Sequence, residues 1–352
     1  MSDHSISIRY LAQEDFIRAG AFNLPMAIEA TQQALLQYQK GEILFPEKIV
    51  QEFDAVYKDR INCLPATLLN ENICGMKWVS VFPRNPRLYG TQNLSAIIVL
   101  SRIVQGYPVC VMDGTLCSNM RVASIGATAA QYLARKNAES IGFIGAGEQA
   151  KMHLLGMKAV RPGLKLCRVA AKYPEEEQDF IEKLSPIFPD MEFVACNTVL
   201  ENAIRESDII VTATSAQAPL LKAEWVKKGA FYSHVGGYEC EYGVITMANK
   251  LVCDDWTVVR HRLSTIARVY KEGLISDDDI YANLVDLVSG AKYGRENDNE
   301  IIVFSAAGLS YVDIAIANAM FKKAEAANIG RILPMQETTV FEHENLLGQI
   351  VV

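Results

Sequence analysis

The run Ile141-Gly142-Phe143-Ile144-Gly145-Ala146-Gly147-Glu148-Gln149-Ala150 places Gly-x-Gly-x-x-Ala between an apolar, strand-like stretch and a helix-like one. That spacing suits dinucleotide chemistry. Gly145 permits a tight turn, Gly147 lets the backbone approach a pyrophosphate with no side chain between, and Ala150 allows close helix–strand packing. The helix that opens at Glu148 and Gln149 would supply free N–H groups and a positive dipole end. An NAD(P) cofactor is therefore predicted, held by Gly145, Ala146, Gly147, Glu148 and Gln149. NAD sites usually place an acid about 20 residues after the loop, to bind the ribose 2′-hydroxyl. Here that region reads Val169-Ala170-Ala171-Lys172-Tyr173-Pro174, with no carboxylate at the tip. Lys172 would meet a 2′-phosphate by charge, which tilts the expectation towards NADP(H). The alternative is a solvated lysine paired with Glu175 or Glu176.

Other reactive side chains carry less. His153, His234 and His261 are spread apart without ligand spacing, so no metal site is expected. None of the eight cysteines forms a Cys-x-x-Cys pair, and most sit in apolar, strand-like runs. Buried, reduced thiols in a reducing compartment are the expectation. Asp277-Asp278-Asp279 reads as a solvated helix cap.

The elements that must position these groups fit a globular enzyme. The 352 residues carry 34 basic and 41 acidic side chains, a net charge of -7 with no basic cluster, so no nucleic-acid partner is expected. Apolar runs such as Ile97–Leu100 fall far short of a membrane span. Residues 1–10 lack the basic start and apolar stretch of a signal peptide, and a cytoplasmic location is the expectation. Helical spacing over 24–41 predicts an early helix. Strands at 75–82, 94–101 and 108–112 follow, too closely connected for crossover helices and so antiparallel or mixed. From a small-residue helix at 118–135 onward, strand and helix alternate. Strands are predicted at 140–144, 166–170, 192–195, 208–213, 230–235, 250–253 and 300–304, which implies an α/β parallel sheet. A long helix at 311–327 is expected to pack back on the N-terminal sheet.

Several segments together resemble the ornithine cyclodeaminase/mu-crystallin family over roughly residues 45–330. They are Gly75-Met76-Lys77-Trp78, Ser118-Asn119-Met120-Arg121-Val122-Ala123 and the glycine loop with His153-Leu154. Val211-Thr212-Ala213-Thr214-Ser215, Gly294-Arg295 with Asp298–Ile301, and Ala307-Gly308-Leu309 complete the set. The resemblance implies a Rossmann domain (118–310) inserted into an α+β substrate-binding and dimerisation domain (1–117 with 311–352), and a homodimer. It implies a small amino-acid-like substrate whose carboxylates meet Lys77, Arg121 and Lys48, with Thr212, Thr214 and Ser215 beside the cofactor. Fixed cations suit such a substrate, and an arginine can bind a carboxylate bidentately.

One departure bears on mechanism. Where cyclodeaminases and alanine dehydrogenases of the family keep an aspartate as general base, this chain has Tyr238, followed by Glu239. A tyrosine titrating near 10 is a poor base at neutral pH, so Glu239 is the expected base and Tyr238 the alternative. The implied activity is NAD(P)-dependent hydride transfer at an amine or imine carbon. It would cleave an amino acid or N-substituted amino acid to a 2-oxo acid and an amine, or run in reverse. A redox-neutral cyclodeaminase, an alanine dehydrogenase or ketimine reductase, and an NADP-linked binding protein are the other readings the family offers.

Overall fold

The computed structural model describes residues 5–342 and 348–349. Residues 1–4, within the segment expected to lack a signal peptide, and 343–347 and 350–352 of the expected first domain lie outside the described residues. Two compact units emerge: 1–23 with 41–118 and 313–352, and 24–40 with 119–312. The helix Leu24–Gln39 belongs to the second unit. Thr31 Oγ1 lies 2.7 Å from Ser124 Oγ there, and Gln32 Nε2 donates to Gln131 Oε1 at 2.8 Å.

The first unit holds β1 (Ile6–Leu11), β2 (Ile43–Leu44), β3 (Ile49–Asp54), β4 (Asp59–Leu68), β5 (Ile73–Val81), β6 (Leu94–Arg102) and β7 (Pro108–Asp113), plus the strand Arg331–Gln336. The sheet order is Arg331–Gln336, β1, β7, β6, β5, β4, β2, with β3 also on β4. Only the β1–β7 pair is parallel among these pairings. Residues alternate along β5: Ile73, Gly75, Lys77 and Val79 are buried while Trp78 is exposed. The helix Ser310–Ala326 packs on the buried face, as expected, because Gly75 leaves room. A Cβ at Gly75 would stand 2.8 Å from both Ile314 Cδ1 and Leu100 Cδ2. Sequence reading missed β4, whose Pro65 argues against a strand. In the fold Pro65 lies on a stretch of β4 that neither β2 nor β3 pairs with.

The second unit holds β8 (Ser140–Ile144), β9 (Leu166–Ala170), β10 (Glu192–Ala195), β11 (Ile209–Thr212), β12 (Phe231–His234), β13 (Lys250–Cys253), β14 (Ile280–Asn283) and β15 (Ile302–Ser305). All pair in parallel, in the order β10-β9-β8-β11-β12-β15-β13-β14. The unit is therefore Rossmann-like α/β, and its central strands β8, β11, β12 and β15 are buried at every residue, as sheets covered on both faces require. The order reverses between β8 and β11, and ligands of such sheets bind beyond the strands' carboxyl ends at that point.

Candidate active site

Three glycines around β8 are there for different reasons. A Cβ on Gly142 would sit 2.0 Å from the Ala203 carbonyl oxygen, so the strand could not pack beside the helix Leu200–Ile204. Gly145 has φ +99°, and a Cβ there would lie 2.6 Å from the Ala213 carbonyl oxygen. Gly147 meets nothing within 4 Å and caps the helix Glu148–Val160 with extended backbone. The fold needs glycine at 142 and 145. At 147 it leaves open space before a helix start whose first N–H groups have no acceptor in their own helix. A pyrophosphate would fit that combination, and Gly145, Ala146 and Gly147 could hold it. Glu148 is exposed and pairs with Lys151 at 3.2 Å, whereas Gln149 donates to Asn119 Oδ1 at 2.7 Å.

At the tips of β11 and β12 the expectations need correction. Glu239 is fully buried. Its Oε1 accepts from Thr214 N (2.6 Å) and Thr214 Oγ1 (2.7 Å), and its Oε2 from Thr212 Oγ1 (2.8 Å) and Gly236 N (2.7 Å). His234 Nε2 stands 3.7 Å away. A carboxylate with four donors and no exposure is a fastener between two loops, not an accessible proton acceptor. A Cβ on Gly236 would come within 2.4 Å of the Glu239 carboxyl carbon, so glycine there makes room for the acid. Thr212, expected beside the cofactor, is fully buried and spends its hydroxyl on Glu239 and Tyr232. Thr214 is half-buried and Ser215 exposed. The half-buried Tyr238 ring lies under the Arg268 guanidinium, 4.6 Å from its centroid. Burial of His234 lowers its pKa, so the ring beside Glu239 is neutral.

Lys77, in the middle of β5, is 2% exposed, and its Nζ donates to Asp313 Oδ1 at 2.6 Å. Asp313 is 0% exposed and rides on the helix Ser310–Ala326. Sequence reading missed Asp313. Its signal was an acid on an otherwise apolar stretch, Tyr311-Val312-Asp313-Ile314-Ala315-Ile316. Lys48 is half-buried between β2 and β3.

Arg121, in the second unit, lies half-buried on the helix Thr115–Leu133. Its guanidinium rests against Gly308: a Cβ built there would be 2.7 Å from Nη1. Near the far end of the same sheet, Glu177 is fully buried and accepts from the N–H groups of Ala171 (3.0 Å), Asn197 (2.8 Å) and Thr198 (2.8 Å). Lys172 is exposed at the tip of β9, 5.3 Å from the Tyr173 ring centroid.

None of the eight cysteines forms a disulfide, and six of them are buried, as the sequence suggested. No helix of the described residues is long and apolar enough to cross a membrane.

The chain is similar to known proteins over most of its length. Over 328 residues the chain is 29% identical to the N-((2S)-2-amino-2-carboxyethyl)-L-glutamate dehydrogenase of Staphylococcus aureus, covering 92% of this chain and 97% of that one. The solved Delta(1)-pyrroline-2-carboxylate reductase of Thermococcus litoralis, in complex with NADH and L-proline, matches with TM-score 0.87 at 28% identity, covering 92% and 99% of the two chains. An archaeal alanine dehydrogenase dimer with bound NAD matches with TM-score 0.84 at 28% identity, covering 94% and 100%. The family profile itself spans residues 13–328, and the chain belongs to the ornithine cyclodeaminase/mu-crystallin family.

Proposed function

We propose that this chain is an NAD(P)-dependent oxidoreductase acting on the C–N bond of an amino acid or N-substituted amino acid. The observation that carries the reading is Gly147, a glycine the fold does not need, opening onto free space at the helix start beside the switch point of a parallel sheet. The similarity to dehydrogenases and reductases named for amino acids supports the substrate class. When bound, the nicotinamide supplies the hydride acceptor or donor. The chain's own residues bind and orient. Lys77 and Arg121 take substrate carboxylates, with Lys48 as a third cation. Asp313, 2.6 Å from Lys77 Nζ, fixes the position of that side chain, which suits holding a carboxylate, carbonyl or imine. Glu239 holds the loops after β11 and β12 in place, so a solvent molecule or the substrate's own carboxylate takes the proton. As a more specific substrate we infer N-(2-amino-2-carboxyethyl)glutamate, supported by the similarity to the staphylococcal enzyme over nearly the whole chain.

The test is a panel of amino acids and N-carboxyalkyl amino acids with NAD and NADP, read by the ultraviolet absorbance of reduced nicotinamide. Cofactor reduction by one of them is the expected result. Ammonia release without net reduction would point to a redox-neutral cyclodeaminase. Cofactor and ligand binding with no turnover would point to a binding protein.

For the cofactor we infer NADP(H). Glu177 gives its carboxylate to three backbone N–H groups, leaving no acid at the β9 tip for a ribose hydroxyl, and Lys172 stands there exposed. Lys172→Asp should lower NADP(H) affinity and raise that for NAD(H); a wild type that already prefers NAD(H) would end this part of the reading. We also infer a homodimer, supported by a row of side chains in register on one face of the first sheet: Ile49, Cys63, Trp78 and Ile97, of which Ile49, Trp78 and Ile97 are exposed. Sedimentation tests it. Eight cysteines with no disulfide among them support a cytoplasmic location.

A further inference from the structure

Asp254 follows the last residue of β13 and is 1% exposed. Its Oδ1 accepts from Ala307 N and Asp255 N, both at 2.9 Å, and its Oδ2 from Gly308 N at 2.8 Å. The carboxylate thus grips two successive N–H groups of the loop after β15. Gly308 has φ +85°, a conformation that L side chains rarely adopt. The Arg121 guanidinium occupies the space a side chain at 308 would take, with Nη1 at 2.7 Å, Cζ at 3.3 Å and Nη2 at 3.4 Å from an ideal Cβ. Those three atoms lie on the face of the loop that Asp254 fixes.

We propose that Asp254 and Gly308 together form a positioning device for Arg121: the acid pins the loop and the glycine offers a flat shelf that sets the guanidinium's orientation. Both are positioning residues, and the inference rests on the reading of Arg121 as a carboxylate-binding group. Burial pushes the Asp254 carboxyl up to about 6, so keeping it ionised at neutral pH works against the fold, and three N–H donors only partly offset this. An acid retained in such surroundings is better explained by the loop geometry it imposes than by stability.

The kinetic test uses the fastest amino-acid substrate of the panel above. Arg121→Met should raise its KM. Gly308→Ala strains the loop at φ +85° and displaces the end of Arg121, and should raise KM about tenfold to a hundredfold while cofactor Kd is unchanged. Asp254→Asn turns an amide N–H towards a backbone N–H and should raise KM similarly. In the Arg121→Met background neither change should add anything further, since the group they orient is gone. Should Asp254→Asn fail to fold, Gly308→Ala and its combination with Arg121→Met complete the test. An unchanged KM in Arg121→Met would overturn the carboxylate reading itself. A raised KM there, with Gly308→Ala and Asp254→Asn near wild type or with effects that add in full, would overturn the positioning role alone.

Discussion

Lys77 in the mixed sheet and three acids of the parallel sheet hold their buried charge in opposite ways. In the mixed sheet a cation, Lys77, sits mid-strand and meets a side-chain anion, Asp313, carried by a helix. In the parallel sheet, three acids near strand ends (Glu177, Glu239 and Asp254) gather backbone N–H groups of the loops instead. The topology explains the contrast. Every parallel strand ends in a loop whose N–H groups have left the ladder and need acceptors, and a buried carboxylate accepts several at once. A strand inside an antiparallel ladder has its N–H groups satisfied, so a charged side chain there must find another side chain. The first arrangement stores a compensated charge; the second sets the shape of cofactor-side loops.

The contrast predicts unequal responses to substitution. Lys77→Met leaves Asp313 buried without its ammonium partner and should lower unfolding free energy by about 3–5 kcal/mol in urea titrations. Lys77→Met with Asp313→Leu should recover most of that loss, and a double variant as weak as the single would break the pairing argument. A buried neutral group in the parallel unit gives a pH-dependent effect of up to about 3 kcal/mol. Burial lowers His153 from its usual 6.5 to about 4. The unfolded chain therefore binds a proton that the folded chain refuses between those values. This contribution is intact above about 6.5 and is lost as pH falls towards 4. His153→Gln should flatten that part of a stability–pH curve, and an unchanged slope would show that another group sets it.

Next in size comes Glu239→Gln, which removes the charge but keeps one acceptor, and should cost about 1–3 kcal/mol. Tyr238→Phe should stay within about 0.5 kcal/mol, because its ring and not its hydroxyl faces Arg268. A fall of about a hundredfold in kcat for Glu239→Gln with stability intact would restore the acid as general base. The smallest stability effect belongs to Gly147→Val, whose side chain meets open space. Its melting temperature should match wild type while calorimetry detects no NAD(P) binding, and retained binding would remove the pyrophosphate from this turn.

The glycine turn, the alternating strands and helices of the second unit and the segments around Lys77 and Arg121 were legible because each depends on local spacing. Gly145 is required by a positive φ of the turn itself, and Ala150 lies fully buried at the start of the helix that follows. The helix Leu24–Gln39 was legible as a helix, but not as part of the second unit. Its Thr31 meets Ser124 across 93 residues of chain, a pairing that periodicity cannot encode. Glu239 shows the same limit more sharply. Its place beside Tyr238 invited a proton-transfer role, yet whether a loop acid faces substrate or turns inward is decided by which donors the neighbouring strands bring. By itself the sequence determined the glycine turn and the parallel α/β unit through short-range pattern, and it marked Lys77 and Arg121 as candidate cations. Only the tertiary structure decided that Asp313 compensates Lys77, that Glu239 is consumed by Thr212, Thr214 and Gly236, and that Asp254 stands behind Gly308, because buried charges choose partners by proximity in space.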